Sequence, residues 1–345
     1  MPLPDAIGPF LSAWLLVALA CGLDRLIGDP QGLPHPVQLM GWCIARLRSG
    51  AEAWAGDCPR RLRLAGTAIT LVLVALSALA GWGLERLAVA VPPLGLPLLL
   101  IGLASALAGG SLRRAVLQVL AALPDLEQAR RRLAWIVGRD VTGLDEPEIL
   151  RAAAETASEN AVDGLFAPLF WMLIGAALWA WTLEAGRGDT LPGPLALAWA
   201  FKASSTLDSM LGYRVGRLRW LGTAGARLDD GLTWLPCRLV ALSLPLAAGR
   251  PGSWRRWLRA SLREGAADPS PNAGVSQAAY AHATGVRLGG LNRYADGMRA
   301  KPLLGADQPP ADQAAVQRIL GLSDRLQLLW LLVSGTLALL LSHHC

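Results

Sequence analysis

Five long stretches without Asp, Glu, Lys or Arg constrain the fold of this chain more than any other feature. An α-helix of about 20 residues crosses the roughly 30 Å hydrocarbon layer of a bilayer. Because lipid cannot hydrogen-bond to open backbone groups, such stretches are expected to be helical. They predict an all-α, polytopic integral membrane protein, and they cover residues 6–23, 64–84, 87–112, 164–183 and 326–345.

The composition excludes several other classes of protein. Of the 345 residues, 53% are hydrophobic and 17% are charged, whereas a soluble domain has about 25% charged residues. The five cysteines form no C-x-x-C pair, so neither a disulfide framework nor a zinc site is indicated. The net charge of +6 comes almost entirely from arginine. These arginines do not alternate with stacking aromatic residues, so no nucleic-acid partner is expected.

Two weaker apolar stretches leave the number of spans open. Residues 190–201 are short and contain two prolines, and residues 231–249 contain Arg238 and two prolines. Either stretch fits a re-entrant or broken helix. The arginines of residues 250–263 favour the cytoplasmic side of the membrane for the polar region that follows. A re-entrant segment at 231–249 would place them there.

We therefore predict five to seven membrane helices, one or two of them re-entrant, in a single domain over residues 1–345. The largest polar region within this domain covers residues 250–325. The polar motifs lie at the ends of the five best spans. We expect them to form a site at one face of the membrane.

The first polar motif follows the first span. It carries Asp24 and Asp29 around a turn bounded by Gly28, and then His35. One interpretation is a helix C-terminus with its turn, held by an Asx-type bond. The other is a pair of carboxylates and an imidazole presented at the membrane face.

The second motif is a helix whose start is marked by acidic residues and a proline at 145–147. Arg151, Glu155 and Glu159 follow at intervals of four and so share one face. Arg151 and Glu155 can form a surface ion pair, whereas Glu155 and Glu159 repel each other. A bound Mg²⁺ ion would remove that repulsion. Two more polar residues follow at the membrane boundary, Asn160 and Asp163.

The third and fourth motifs combine carboxylates with cations. Residues 202–214 begin with one of only two lysines and contain Asp208 and Arg214. They fit either a phosphate-binding segment or a polar loop, but not the glycine-rich phosphate loop of nucleotide-binding proteins. Asp229 and Asp230 precede an apolar stretch, where unpaired carboxylates are costly. A neighbouring arginine or a bound Mg²⁺ would neutralise them.

The fifth motif places turn-forming residues on both sides of a short helix predicted at 275–284. Residues 268–274 precede this helix, and Gly289 and Gly290 follow it. Without side chains, these two glycines allow the backbone to approach an anionic ligand closely.

Taken in order, these motifs resemble the CobD/CbiB family, over roughly residues 12–300. The resemblance rests on six segments: GDP…HPV (28–30, 35–37), GRD (138–140), AAAETASENAVDGLFAPLF (152–170), FKASSTLDSMLGYR (201–214), ARLDDGLTWLPCRL (226–239) and SPNAG…GVRLGG (270–290).

The resemblance implies a membrane-bound adenosylcobinamide-phosphate synthase of cobalamin biosynthesis. Such an enzyme joins the propionate carboxyl of adenosylcobyric acid to the amine of 1-amino-2-propanol phosphate, with ATP as co-substrate and Mg²⁺. It implies a bacterial inner membrane location. It also makes a second copy of the chain and other late cobalamin-pathway membrane enzymes candidate partners.

Residue roles follow as expectations from the resemblance and from the needs of phosphoryl transfer. The general base is expected to be Glu155 or His35. The magnesium ligands are expected to be Glu159, Asp163, Asp229 and Asp230. Substrate and phosphate contacts are expected from Lys202, Asp208, Tyr213, Arg214, Arg238, Asn160, Asn272 and Arg287. Further motif residues are Asp24, Asp29 and Asp140.

Two rival functions remain open from the residues. A transporter is expected to carry ionisable residues within its spans, or paired broken helices in an internal repeat. A membrane sensor resembling the AmpE proteins is expected to lack the acidic motifs, which are present here.

Overall fold

A computed structural model describes residues 8–28, 35–186, 191–294 and 297–344, with side chains as far as residue 342. Asp29, one of the predicted motif residues, lies outside the described residues. The chain divides into two compact units. The first unit comprises Met1–Ala108, Ala167–Leu232 and Leu331–Cys345, and the second comprises Gly109–Phe166 and Thr233–Trp330.

Helices dominate the described residues, as predicted. One two-stranded antiparallel sheet, formed by β1 (Leu288–Tyr294) and β2 (Gly297–Leu304), is the exception among them. The helices are α1 (Pro9–Ile27), α2 (Pro36–Ala55), α3 (Pro59–Ala90), α4 (Pro92–Ala106), α5 (Gly109–Ala121), α6 (Leu126–Leu133), α7 (Glu146–Ala161), α8 (Ala167–Glu184), α9 (Pro194–Leu211), α10 (Leu218–Leu221), α11 (Thr223–Ala247), α12 (Trp254–Gly265), α13 (Ala273–Thr284) and α14 (Gln313–His344).

Four of these helices are long and apolar enough to span a membrane, among the described residues. They are α1, α3, the helix formed by α7 and α8, and α14. A fifth span results if α4 and α5, bent by 44° at their junction, count as one. The prediction of an all-α polytopic membrane protein is therefore confirmed, with four or five candidate spans among the described residues where five to seven were predicted.

The structure bears on three of the apolar stretches. The stretch 87–112 is not one helix, because α3 continues to Ala90 and α4 begins at a pair of prolines. Residues 231–247 belong to one helix, α11, which runs through Pro236 and Pro245, and the re-entrant placement of this segment stays a prediction. The described part of 190–201 begins α9, which is not among the candidate spans.

Proline starts most helices of the first unit. It occupies the first turn of α1, α2, α3, α4 and α9, where its missing N–H costs no hydrogen bond. Around α3 and α9 lies a core that includes Ile44, Leu62, Ile69 and Leu207. Glycine allows the close approach of these helices, because a Cβ on Gly81 would lie 2.8 Å from the backbone of Ala196.

A buried glutamate joins two helices of the first unit. Glu85, near the C-terminal end of α3, is 2% exposed. Its carboxylate accepts hydrogen bonds from the backbone N–H groups of Gly193 (2.8 Å), Leu195 (2.7 Å) and Ala196 (3.0 Å), at the start of α9. A carboxylate at a helix N-terminus satisfies unpaired donors and complements the helix dipole. This ionisable residue inside a span is thus a helix cap, and it does not indicate a transport path.

In the second unit, local signals predict the helix starts well. A capping box formed by Asp145 and Glu148 begins α7, as the acidic residues and proline there predicted. The helix predicted at 275–284 is confirmed as α13. Between α7 and α8 the chain makes one π-helical turn over Val162–Phe166, a feature often found at functional sites.

Candidate functional site

Five of the predicted site residues of the first unit form one charged cluster, which we call the Asp208 cluster. It comprises Lys202 and Asp208 on α9, Asp229 and Asp230 on α11, and Arg214 after α9. The three carboxylates act on one another electrostatically, and Lys202 acts on Asp229. The structure thus brings residues of these two motifs together within this unit.

The cluster strongly affects proton binding by its acids. Burial, and then the Asp208 and Asp230 carboxylates, raise the pKa of Asp229 to about 7, while Lys202 acts in the opposite direction. Burial and Asp230 also raise the pKa of Asp208. The pKa of Asp230 is also raised, because the effect of burial outweighs the opposite effect of Arg214. The cluster therefore has an excess of negative charge in a partly dehydrated place.

The C-cap of α9, Gly212, lies against the Asp208 carboxylate. The Gly212 N–H donates to the Asp208 carbonyl at 2.7 Å. A Cβ on Gly212 would lie 2.0 Å from Asp208 Oδ1, so only glycine fits beside this carboxylate. Tyr213 and Arg214 follow immediately and are exposed. The rim of the cluster is thus open to solvent.

The donor set of the cluster is incomplete for a metal ion held by the protein alone. In the described residues, no group of three or more His, Cys, Asp or Glu side chains could hold a metal on its own. Asp229 Oδ1, however, is buried and accepts no hydrogen bond. Mg²⁺ is commonly held by one or two carboxylates, several waters and substrate phosphates. The cluster offers such an incomplete set, and ligation by Glu159, Asp163, Asp229 and Asp230 stays a prediction.

A second charged group, in the second unit, centres on Glu155 and is called the Glu155 network here. Glu155 Oε2 accepts from Arg139 at 2.7 Å, and Oε1 accepts from the Gly289 N–H at 2.9 Å and from Arg151 at 3.4 Å. Both arginines also donate to the Asn292 side chain. The network joins α7 to β1.

Glu155 has the contacts of a fixed counter-ion. It is 5% exposed, and both of its oxygens are occupied. Its role as general base stays a prediction, but the geometry favours a positioning role. Gly289, one of the two glycines predicted to approach an anionic ligand, donates its N–H to the Glu155 carboxylate, and ligand binding by this pair stays a prediction. A Cβ on Gly289 would lie 1.9 Å from the Pro302 carbonyl oxygen.

Glu159 lies one turn further along α7 with its own partners. Its carboxylate accepts from Gln277 at 2.5 Å and interacts electrostatically with Lys301. Lys301 also pairs with Asp268 at 3.3 Å. Burial lowers the pKa of Lys301, but the negative charges of Glu159 and Asp268 outweigh this and raise it. This lysine therefore stays charged.

Most other predicted residues of the second unit hold the backbone or one another. Arg238 donates to the Asn272 side chain at 2.5 Å and to the Pro271 carbonyl at 2.8 Å. Asn160 donates to Thr156 on the same helix at 2.8 Å. These contacts stabilise the start of α13 and the end of α7. No phosphate contact is needed to explain them.

Three further predicted residues are placed without direct signs of catalysis. Asp163 lies in the π-helical turn and interacts electrostatically with Cys237. Arg287 is exposed, and its N–H donates to the Pro309 carbonyl at 2.8 Å. Asp140 accepts from the N–H and hydroxyl of Thr142, which lowers its pKa, so it forms the turn expected of an Asx residue.

The first motif is only partly described. Asp24 is buried in α1, and its carbonyl accepts from the Gly28 N–H at the helix end. His35 is the N-cap of α2, with Nδ1 accepting from the Val37 N–H at 3.3 Å. His35 and Met40 are among the residues that line a largely apolar cavity of about 460 Å³. A helix end with its cap accounts for both residues.

Several functional candidates were not predicted from the sequence. Arg139 and Asn292 complete the Glu155 network, and Lys301 neutralises Glu159. Two signals pointed to them: Arg139 lies within the GRD motif, and Lys301 is one of only two lysines. Neither signal says which acid the cation meets.

Comparison with known proteins decides the family. The family model described as CobD/CbiB protein matches residues 17–323. The chain belongs to the CobD/CbiB family. This confirms the resemblance carried by the six motifs. The match covers both the Asp208 cluster and the Glu155 network, so both are parts of a CobD/CbiB protein.

Relatives of this CobD/CbiB protein match over nearly its whole length. The cobalamin biosynthesis protein CobD of Synechocystis is 39% identical, covering 97% of this chain and 95% of the relative. The CobD protein of Geobacter metallireducens is 41% identical over 88% of this chain and 90% of its own. The CbiB protein of Salmonella typhi is 36% identical, covering 96% of this chain and 97% of the relative. No solved structure matches the chain.

Proposed function

We propose that this protein acts in cobalamin biosynthesis as an amide-forming ligase. In this proposal it joins the propionate carboxyl of adenosylcobyric acid to the amine of 1-amino-2-propanol phosphate, in the inner membrane of a bacterium. The family match and the names of the bacterial relatives support the pathway. The Asp208 cluster is the observation that carries the reaction class, because it combines half-buried acids with two cations.

The reaction needs an activated carboxyl group, since a carboxylate is a poor acyl donor. Transfer of the γ-phosphoryl group of ATP to a carboxylate oxygen gives an acyl phosphate and ADP. The amine nitrogen then attacks the carbonyl carbon, and the C–O bond to phosphate breaks. The products are the amide and inorganic phosphate, and the amine gives up a proton to a base.

The Asp208 cluster suits the phosphoryl-transfer step. Asp229 and Asp230, two of the predicted ligands, would hold Mg²⁺, which neutralises charge on the phosphates when bound. Lys202 and the exposed Arg214 would bind phosphate oxygens and hold the transferring group in place. Binding a cation also relieves the repulsion among the three carboxylates.

The Glu155 network suits positioning and not proton transfer. Arg139 and Arg151 occupy the Glu155 carboxylate, so a proton added to it would break a buried ion pair. Of the two predicted bases we therefore favour His35. Its Nδ1 caps α2, so the proton from the amine would be taken up at Nε2.

Turnover by the purified protein tests the proposal. The detergent-solubilised chain is mixed with adenosylcobyric acid, 1-amino-2-propanol phosphate and Mg-ATP, and product and ADP are measured by mass spectrometry. We expect equal amounts of amide and ADP. Absence of product under conditions where the protein is folded would refute ligase activity.

Two aspartate variants test the role of the cluster. Asp229→Asn is expected to abolish turnover. The matched control is Asp57→Asn, since Asp57 is an exposed aspartate of the same unit that pairs with Arg217 at 2.7 Å. This control should retain activity. Near-normal turnover by Asp229→Asn would remove the cluster from the mechanism.

A further inference from the structure

A cavity in the second unit has a strongly basic lining. Its volume is about 640 Å³, and it lies among the end of α11, α12, α13 and the first turns of α14. Its lining contains no acidic residue. The cations around it are Arg250, Arg256, Arg318 and Arg325, with His282 beside them. None of these residues belongs to the predicted site, and we call the cavity the arginine pocket.

The arginines of this pocket are poorly neutralised by the protein. Arg318 lies 3.9 Å from Asp312, at the limit of an ion pair. Within the described part of the chain, no carboxylate lies within 4.0 Å of the other three guanidinium groups. A cleft lined by one sign of charge concentrates ions of the opposite sign. The pocket is therefore suited to an anion.

The walls of the pocket are built by the fold. Trp257 anchors α12 with 5% exposure, while Arg256 beside it stays exposed. Glu264 of α12 accepts from His282 at 3.0 Å and from the Gly305 N–H at 2.9 Å. This carboxylate holds the His282 ring and the segment after β2 in place. The basic lining thus sits on packed elements.

Two of the arginines share one face of α14. Arg318 and Arg325 are seven residues apart, which is about two helical turns, so both project toward the same side. They lie in the N-terminal half of α14, a candidate membrane span over Gln313–Ser342. This is the level at which lipid headgroups are found if α14 crosses a bilayer.

The chemistry of the lining selects the class of ligand. The guanidinium fork matches two oxygens of a phosphate group, and a cavity of several hundred Å³ accommodates a small molecule. Thr284 and Gln308 add uncharged polar groups. We propose that the arginine pocket binds a phosphate-bearing anion, either a soluble polyphosphate or the headgroup of an anionic phospholipid. The proposal does not depend on the ligase reaction.

Binding to the full-length protein tests this inference without turnover. Delipidated protein in detergent is titrated with inorganic pyrophosphate by calorimetry, without Mg²⁺. In parallel, protein from nanodiscs of phosphatidylglycerol and phosphatidylcholine is analysed for retained lipid by native mass spectrometry. The pocket variant is Arg256→Gln with Arg318→Gln. The control, Arg255→Gln with Arg259→Gln, removes the same charge from exposed residues outside the pocket.

We expect one of the two anions to bind, at least tenfold more weakly to the pocket variant and less than twofold more weakly to the control. Loss of pyrophosphate binding identifies a soluble ligand, and loss of phosphatidylglycerol retention identifies a headgroup. Circular dichroism checks folding. If the double variant unfolds, Arg250→Gln and Arg325→Gln replace it singly. Binding of neither anion, or equal losses in pocket and control variants, would overturn the proposal.

Discussion

Replacing Glu155 by glutamine distinguishes a positioning residue from a general base. The glutamine side chain has one acceptor oxygen and one NH₂ group. In either orientation, the NH₂ group faces a donor that the carboxylate now satisfies, Arg139 on one side or the Gly289 N–H on the other. The substitution also leaves Arg139 and Arg151 as buried or half-buried cations.

The magnitude follows from the burial of this group. The side chains of Glu155 and Arg139 are 7% and 8% exposed. Removing one partner of a buried ion pair typically costs about 3–5 kcal/mol. We therefore expect Glu155→Gln to lower the free energy of unfolding by about 3–5 kcal/mol. Since Arg139→Gln breaks the same pair, its cost should be similar, and the double variant should lose about 1–3 kcal/mol less than the sum.

Unfolding in mixed micelles of dodecylmaltoside and SDS, followed by tryptophan fluorescence, provides the measurement. The control is Glu146→Gln, an exposed glutamate in the first turn of the same helix. It should cost at most about 1 kcal/mol, from its interaction with the helix dipole. The reasoning is refuted if Glu155→Gln unfolds like this control while losing turnover, because that is the behaviour of a base.

Three further predictions concern separate parts of the chain. Glu85→Ala leaves three N–H groups at the start of α9 without an acceptor and should lower the free energy of unfolding by about 3–5 kcal/mol. If this free energy equals that of the exposed control Glu184→Ala, the prediction is contradicted. The pKa of Asp229 is raised to about 7, so between pH 5 and pH 7 the folded state binds a proton that the unfolded state has lost. The free energy of unfolding, measured in EDTA, should therefore fall as the pH rises from 5 to 7 and should level off above pH 7. A wild-type slope equal to that of Asp229→Asn would rule this out. Gly289→Ala should strongly destabilise the folded protein, because φ at this position is +84° and the new Cβ meets the Pro302 carbonyl. Gly83→Ala should not, because the space around Gly83 is open. Thermal unfolding of both variants checks this.

The sequence by itself determined the features that depend on neighbouring residues. Long apolar stretches predicted the membrane helices, and the acidic residues before Pro147 predicted the start of α7. These signals act within a few residues, because a helix forms bonds between residues four apart. The break within 87–112 lies at Pro92 and Pro93, a local signal that the charge pattern used to locate the spans does not contain.

Only the tertiary structure decided which partner each buried charge meets. Glu85 and Glu155 look alike in the sequence, as acids within or beside apolar helices. The first caps a helix more than 100 residues later, and the second binds a backbone N–H 134 residues away. The hairpin of β1 and β2, which supplies Gly289 and Asn292, was likewise not predicted. Such pairings depend on which surfaces pack together over the whole chain, and no short segment contains that information.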